Sequence, residues 1–255
     1  MEKTSVYIIS ILIFILSFPA MAQVEPPDSL DIPLKLKAGI EVSGPAIYFT
    51  DKNILSIEGY LSADLNEKMA LYLCAGYSDY KYSQYNYDYL NKGIFLKTGV
   101  DFNILKPQTA MGKYWAGIGL HYGLSSFNSE TPFLKYENYW GTITSSVAPG
   151  THWGHYLEAS PGFRAEIFRN FSIGWSVSLR KLIYTGAGKD LKPIYIPGYG
   201  TADNSFSTGI SYYLMWDITY RRIRVKVKQE TPPETEEQDE PGVTETGVNA
   251  PFRSR

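Results

Sequence analysis

The sequence predicts an all-β fold, a closed antiparallel transmembrane β-barrel of about eight strands. Three observations predict it. Segments of roughly ten residues alternate large apolar residues with small, polar or charged ones, and that is the length a tilted strand needs to cross a bilayer. Short and long connections take turns between those segments. The N-terminus reads as an export signal, and no second apolar run of about 18 residues follows it.

The 255-residue chain holds 21 Tyr and 22 Gly and is 15% aromatic, a composition that suits strands. Its net charge of -2 gives no global basic field of the kind that binds nucleic acid. Lys3, the apolar stretch Val6 to Phe18 and Ala20-Met21-Ala22 read as a signal peptide over residues 1–22. Gln23, not Cys, follows the cleavage pattern, which argues against a lipoprotein anchor. Residues 23–32 form a polar periplasmic lead-in. Cys74 is the lone cysteine, so the fold does not rely on an internal disulfide, and the residue reads as small strand packing.

The first segment sets Leu34, Leu36, Ala38, Ile40 and Val42 against Lys35, Lys37, Gly39 and Glu41. The second sets Ile57, Leu61 and Leu65 against Glu58, Tyr60 and Asp64. The third runs from Met69 to Tyr77. The fourth sets Ile94, Leu96, Val100 and Phe102 against Lys97 and Asp101. Tyr114 to Leu124 makes a fifth, with His121 on its minor face. Leu157 to Ile167 makes a sixth, opposite Glu158, Arg164 and Glu166. Phe171 to Leu179 makes a seventh, opposite a series ending in Arg180. Phe206 to Ile218 is the eighth. A soluble sandwich shows the same period. The export signal, the Gly, Ser and charge on the minor face, and the aromatic strand ends favour a membrane barrel.

The short connections are residues 66–68, 106–113 and 168–170, and the long ones are 44–53, 80–91, 126–153 and 184–204. That is the pattern of periplasmic turns and extracellular loops, so both termini are expected in the periplasm. The third long connection leaves room for a further hairpin between Phe133 and Thr144. The barrel is assigned to residues 33–220. After Ile218 the apolar residues move from even to odd positions, so 221–228 reads as a basic periplasmic extension. It offers cations to anionic headgroups or a strand to a partner. Residues 229–255, rich in Pro, Glu and Thr, read as a disordered acidic tail.

Residues 96–105 (LKTGVDFNIL), 119–127 (GLHYGLSSF), 168–180 (FRNFSIGWSVSLR) and 195–200 (YIPGYG) resemble an uncharacterised family of Gram-negative outer-membrane β-barrels, a domain of unknown function. The resemblance covers about residues 33–220 and implies an integral outer-membrane location with no established activity. More loosely, the chain is similar to the OmpA and OmpX class of small barrels. Ser207, Gly209, Tyr212 and Leu214 are similar to the insertion signal that barrel assembly machinery reads in such proteins.

An eight-stranded barrel is wide enough inside for side chains or one small ligand. Glu58, Asp64, Lys97, Asp101, His121, Glu158, Arg164, Glu166 and Arg180 are therefore expected to form a lumen-filling polar network. Tyr82, Tyr85, Tyr87, Tyr89, Tyr136, Trp140, Tyr195 and Tyr199 are candidates for external contacts in the loops, or for an interfacial girdle. His152-x-x-His155 supplies too few neighbours for a metal site, and no metal or cofactor is assigned. No His-x-Ser pair occurs, because the i+2 partners of the three histidines are Gly123, Gly154 and Leu157. Nor does a G-x-S-x-G elbow. The expectation is a non-enzymatic outer-membrane barrel acting as a scaffold or accessory subunit, in contact with lipid. Its partner is expected to be the barrel assembly machinery or a surface lipoprotein. A narrow channel for ions or small solutes is the alternative, and a lipid-modifying outer-leaflet enzyme using His155 or His121 the third reading.

Overall fold

The computed structural model describes residues 29–186 and 192–226. The signal peptide, most of the lead-in, residues 227–228 and the acidic tail lie outside the described residues. In chain order the elements are β1 (Ser29–Glu41), α1 (Ser43–Thr50), β2 (Ile54–Asp64), β3 (Met69–Gln84), β4 (Tyr87–Asn103), α2 (Pro107–Ala110), β5 (Tyr114–Asn138), β6 (Gly141–Phe168), β7 (Phe171–Thr185), β8 (Tyr195–Ile196), β9 (Gly200–Thr201) and β10 (Phe206–Lys226).

Eight of these strands close into one antiparallel ring in the order β1-β2-β3-β4-β5-β6-β7-β10, with β10 pairing back onto β1. The remaining two, β8 and β9, form a small hairpin between β7 and β10. The period-2 alternation explains the ring, because successive side chains on a strand point to opposite faces. Ile40, Ile94, Leu120 and Ile210 are 58%, 64%, 53% and 59% exposed on the outside. The inside holds Tyr60, Tyr72, Cys74, Phe95, Tyr213 and Met215 in one cluster, together with buried Ser, Lys, Asp and Glu. Apolar outside and polar inside is the arrangement hydrocarbon demands, and it is the reverse of a soluble barrel.

Two long connections are strand rather than loop. Residues 80–91 continue β3 and β4 as a ladder that ends at Gln84 and Tyr87. Residues 126–153 continue β5 and β6 to Asn138 and Gly141, so the third connection is the apex of one hairpin and adds no strand to the ring. Alternating Tyr above the band, and Thr, Ile and Val in residues 142–147, carry enough β-propensity to extend the ladders past the bilayer. The first long connection folds as α1, which lies against β2.

The strand that closes the ring corrects two boundaries. β1 begins at Ser29, inside the expected lead-in, and β10 continues to Lys226, well into the expected extension. Their pairing slips by one residue between Leu34 and Lys35, leaving Tyr220 as the extra residue on β10. The hydroxyl of Tyr220 donates across β1 to the Asp64 carbonyl in β2. Past the bulge, Leu34 and Ile32 are buried, so Leu34 does not belong to the lipid-facing series. Half-buried Ile223 and Val225 stand opposite Ile32 and Leu30, while Arg222, Arg224 and Lys226 are exposed. The change in apolar parity is therefore a change of surroundings along one continuous strand. Above Tyr220 the apolar side faces outward, and below it the apolar side faces the barrel mouth.

Leu120 is an outward residue near the middle of Tyr114 to Leu124, the stretch of β5 expected to cross the bilayer. Leu120→Arg is expected to destabilise the vesicle-embedded barrel by about 2–4 kcal/mol, read from its denaturant midpoint. An unchanged midpoint would mean that this face does not meet hydrocarbon.

Candidate functional site

The interior is organised around Lys97 on β4. Its ammonium donates to both Glu58 carboxylate oxygens on β2 at 2.9 Å and stands 3.7 Å from Glu158 on β6. Glu158 also accepts from Arg180 Nε on β7 at 2.7 Å. His121 on β5 joins this group to a second one. Its Nδ1 lies 3.1 Å from Glu158 and its Nε2 lies 2.9 Å from Asp101. Arg164 then donates to the other Asp101 oxygen at 2.6 Å, with its guanidinium over the Trp115 ring. Tyr72 stacks on the His121 ring at 4.1 Å. Three carboxylates (Glu58, Asp101, Glu158) thus meet three basic side chains (Lys97, Arg164, Arg180), and the imidazole sits between two of the acids.

A second cluster occupies the end with the short turns. Lys35 pairs with Glu166 at 2.5 Å and stands 3.7 Å from Asp217, which accepts from the Ser172 hydroxyl. Lys37 pairs with Asp64 at 2.5 Å, and Asp64 also accepts from the Lys35 backbone N–H. The nine expected interior residues therefore fall into two groups. Glu58, Lys97, Asp101, His121, Glu158, Arg164 and Arg180 form one, while Asp64 and Glu166 belong to the cluster near the turns. Lys35, Lys37 and Asp217 complete the second cluster. They share the inward parity of their strands, and that parity was the available signal for them. Glu41, also inward, instead accepts from the backbone N–H groups of Ser43 and Gly44 and anchors the start of α1.

The opposite mouth is filled by residues 192–204 of the fourth long connection, which turn inward. Ile196, Tyr199 and Ala202 pack with Phe127 and Tyr156 in a single buried cluster. Pro197 and Gly198 are the central residues of a turn in which the Tyr199 N–H donates to the Ile196 carbonyl. Proline followed by a residue at positive φ is what a type II turn requires, and Gly198 has φ +74°. A Cβ on Gly198 would also stand 2.5 Å from the Tyr156 hydroxyl and 2.6 Å from the Phe95 ring. Two interior side chains hold the hairpin by its carbonyls: Asn91 donates to Tyr195 and Arg180 donates to Tyr199.

The loop aromatics divide accordingly. Tyr89 and Tyr199 are fully buried, and Tyr195 stacks face to face on Tyr80 at 4.6 Å. Tyr89 and Tyr199 are therefore closed off inside the mouth and are not external contacts, while half-buried Tyr195 lines it. Tyr82 and Tyr87 are half-buried against each other. Tyr85, Tyr136, Tyr139 and Trp140 are exposed, the last two at 93% and 88%. Lys135 and Glu137 on β5 and Tyr85 in the β3–β4 turn bond one another, and the Lys135–Glu137 ion pair raises the Lys135 pKa and lowers that of Glu137.

His152 packs toward Phe127, whereas His155 bonds the outward Tyr122 hydroxyl at 2.5 Å. The two therefore lie on opposite faces of β6, as an odd separation on a strand dictates. Among the described residues, no group of three or more His, Cys, Asp or Glu could hold a metal ion. Ser207 is buried on the inner face of β10 and Gly209 is half-buried beside the Arg180 guanidinium, whereas Tyr212 and Leu214 face outward. All four lie in the half of the strand nearer the long loops.

A family model described as a domain of unknown function, DUF6048, matches residues 4–222. No curated protein matches the chain. Among solved structures, the attachment invasion locus protein Ail of Yersinia pestis superimposes with a TM-score of 0.35 at 9% identity, covering 76% of this chain and 98% of that one. A major outer membrane protein of Thermus thermophilus gives 0.39 at 10% identity, covering 73% and 98%. CarO of Acinetobacter baumannii gives 0.36 at 13% identity, covering 74% and 98%.

Lys97→Met leaves the Glu58 carboxylate buried without its cation and is expected to cost about 3–5 kcal/mol of stability. Adding Glu58→Leu should restore part of that loss, since Glu158 keeps Arg180 and His121. Denaturant midpoints of the two single variants and the double variant measure the coupling.

Proposed function

The chain belongs to the DUF6048 family, a domain of unknown function, and for it we propose a non-enzymatic outer-membrane barrel that serves as a scaffold or accessory subunit. Its short turns and both ends of the described chain face the periplasm in this reading. Insertion by barrel assembly machinery, with Ser207, Gly209, Tyr212 and Leu214 as the recognised residues, is part of the same proposal.

One observation carries it: the β5–β6 hairpin. These strands span 25 and 28 residues, far more than a bilayer crossing of about ten. On its far side β6 pairs with β7 only from Gly154 onward, so among the described residues 141–152 present an open strand edge. Residues 142–148 hold no charge and no proline, with Ile143 exposed near the Tyr139–Trp140 tip and Val147 exposed further down the same edge, opposite Thr131. An uncharged, β-branched open edge is a template for an added strand of another protein, and the aromatic tip supplies contact area.

The filled interior supports a support role over transport. Lys97, His121 and the inward hairpin occupy the space a solute would use. The channel reading predicts steady single-channel steps in a planar bilayer, whereas the scaffold reading predicts a silent barrel.

Affinity purification in mild detergent at native expression is expected to recover a partner, and Val147→Pro with Thr144→Pro on the open edge should release it. Recovery of the barrel alone, or a partner indifferent to both substitutions, rejects the scaffold reading.

A further inference from the structure

The outward face of β10 reads Trp216, Ile218, Tyr220, Arg222, Arg224, Lys226. All six are exposed. Along one strand face, apolar residues give way to a tyrosine and then to three cations. Arg221 is exposed at the same level, and Arg169 is exposed in the adjoining β6–β7 turn, where the Asn170 carbonyl accepts from the Asp217 N–H of β10. One acid meets these cations among the described residues: Asp31, 3.2 Å from Arg224, in a pair that is well exposed on both sides. An exposed pair of that kind neutralises little. At the other end of the barrel the signs are mixed, with Asp51 beside Lys52 and Lys135 bound to Glu137, and at this end the one mixed turn is Glu67–Lys68, between β2 and β3 and away from β10.

We infer that this rim is a binding surface for the anionic headgroups of glycerophospholipids. Tyrosine favours the boundary between hydrocarbon and headgroup, where its ring is apolar and its hydroxyl is wet. Two residues further on, at about 3.3 Å per residue along a tilted strand, Arg222 comes level with the phosphates. Guanidinium groups match phosphate oxygens in a bidentate fork, which an ammonium does not. The cations belong to a hydrogen-bonded strand, not to a loose terminus, so their spacing is set before lipid arrives: β10 stays paired with β1 down to Ser29 and Lys226. The chain as a whole carries a charge of -2, so the cationic rim is a local feature and not a reflection of composition.

The inference rests on the periplasmic placement of the short turns for its biological leaflet, but its test does not. The full-length barrel in detergent micelles is titrated with phosphatidylglycerol or with phosphatidylcholine, and bound lipid is counted by native mass spectrometry. Phosphatidylglycerol is expected to be retained in preference. A variant with Arg222→Gln, Arg224→Gln and Lys226→Gln should lose that preference by about 100-fold, since each cation near a charged surface contributes about fivefold. Exposed positions of this kind barely affect folding, and Lys81→Gln with Lys92→Gln at the opposite rim should leave the preference intact. Equal retention of both lipids, or a triple variant indistinguishable from the unmodified chain, overturns the inference. So does anionic-lipid binding that appears only after residues 229–255 are removed, which would assign these cations to the acidic tail. Orientation is read separately, from the labelling of the Lys226→Cys variant in intact cells.

Discussion

A strand edge left open in hydrocarbon has no water to satisfy its N–H and C=O groups, and that constraint organises this chain. β1 and β10 remove the edge by pairing from Ser29 and Lys226 to Glu41 and Tyr213. Once the ring is shut, every crossing strand must be apolar on one side and must place its polar residues on the other. The interior inherits them, and there they must satisfy one another. The exposed Leu and Ile outside and the carboxylates and guanidinium groups inside are two results of one closure.

The inner ion pairs link strands that are distant in sequence. Glu58, Lys97, Glu158 and Arg180 come from β2, β4, β6 and β7, and His121 adds β5. Buried pairs of this kind are weak evidence for net stability, since desolvation offsets much of their attraction. Register is the better account of them. A slip of one residue in any of these strands would swap its faces, moving a charge into lipid and a leucine inside. Such a slip would break several pairs together, so the network selects one alignment of strands sharply.

Much of this is legible in the sequence. Alternation alone separates Lys97, Asp101 and Glu158 from Leu96, Val100 and Leu157, because it needs only the two-residue period of a strand. Strand ends were less legible. Tyr-rich and Thr-rich stretches look alike whether they are loops or ladders standing above a membrane, and their pairing partners decide which they are. The inward hairpin was illegible for another reason. Tyr195 and Tyr199 have the composition of an external contact surface, and Asn91 and Arg180, more than a hundred and about twenty residues away in the chain, pull their carbonyls into the mouth. The parity change near Tyr220 was visible, but a single sequence does not reveal whether the strand ends there or its surroundings do. The one-residue slip against β1 shows a strand that continues.

The inward hairpin has a further consequence for assembly, which follows from its place in the chain. It lies between β7 and β10, ahead of the segment that closes the ring. The lumen can therefore be stoppered while β1 and β10 are still apart, and the last strand then shuts around a filled vessel. Had the same residues followed β10, they would have had to enter through a mouth already narrowed by Tyr80, Tyr89 and Phe127. Chain order, as much as side-chain chemistry, lets so crowded an interior be built.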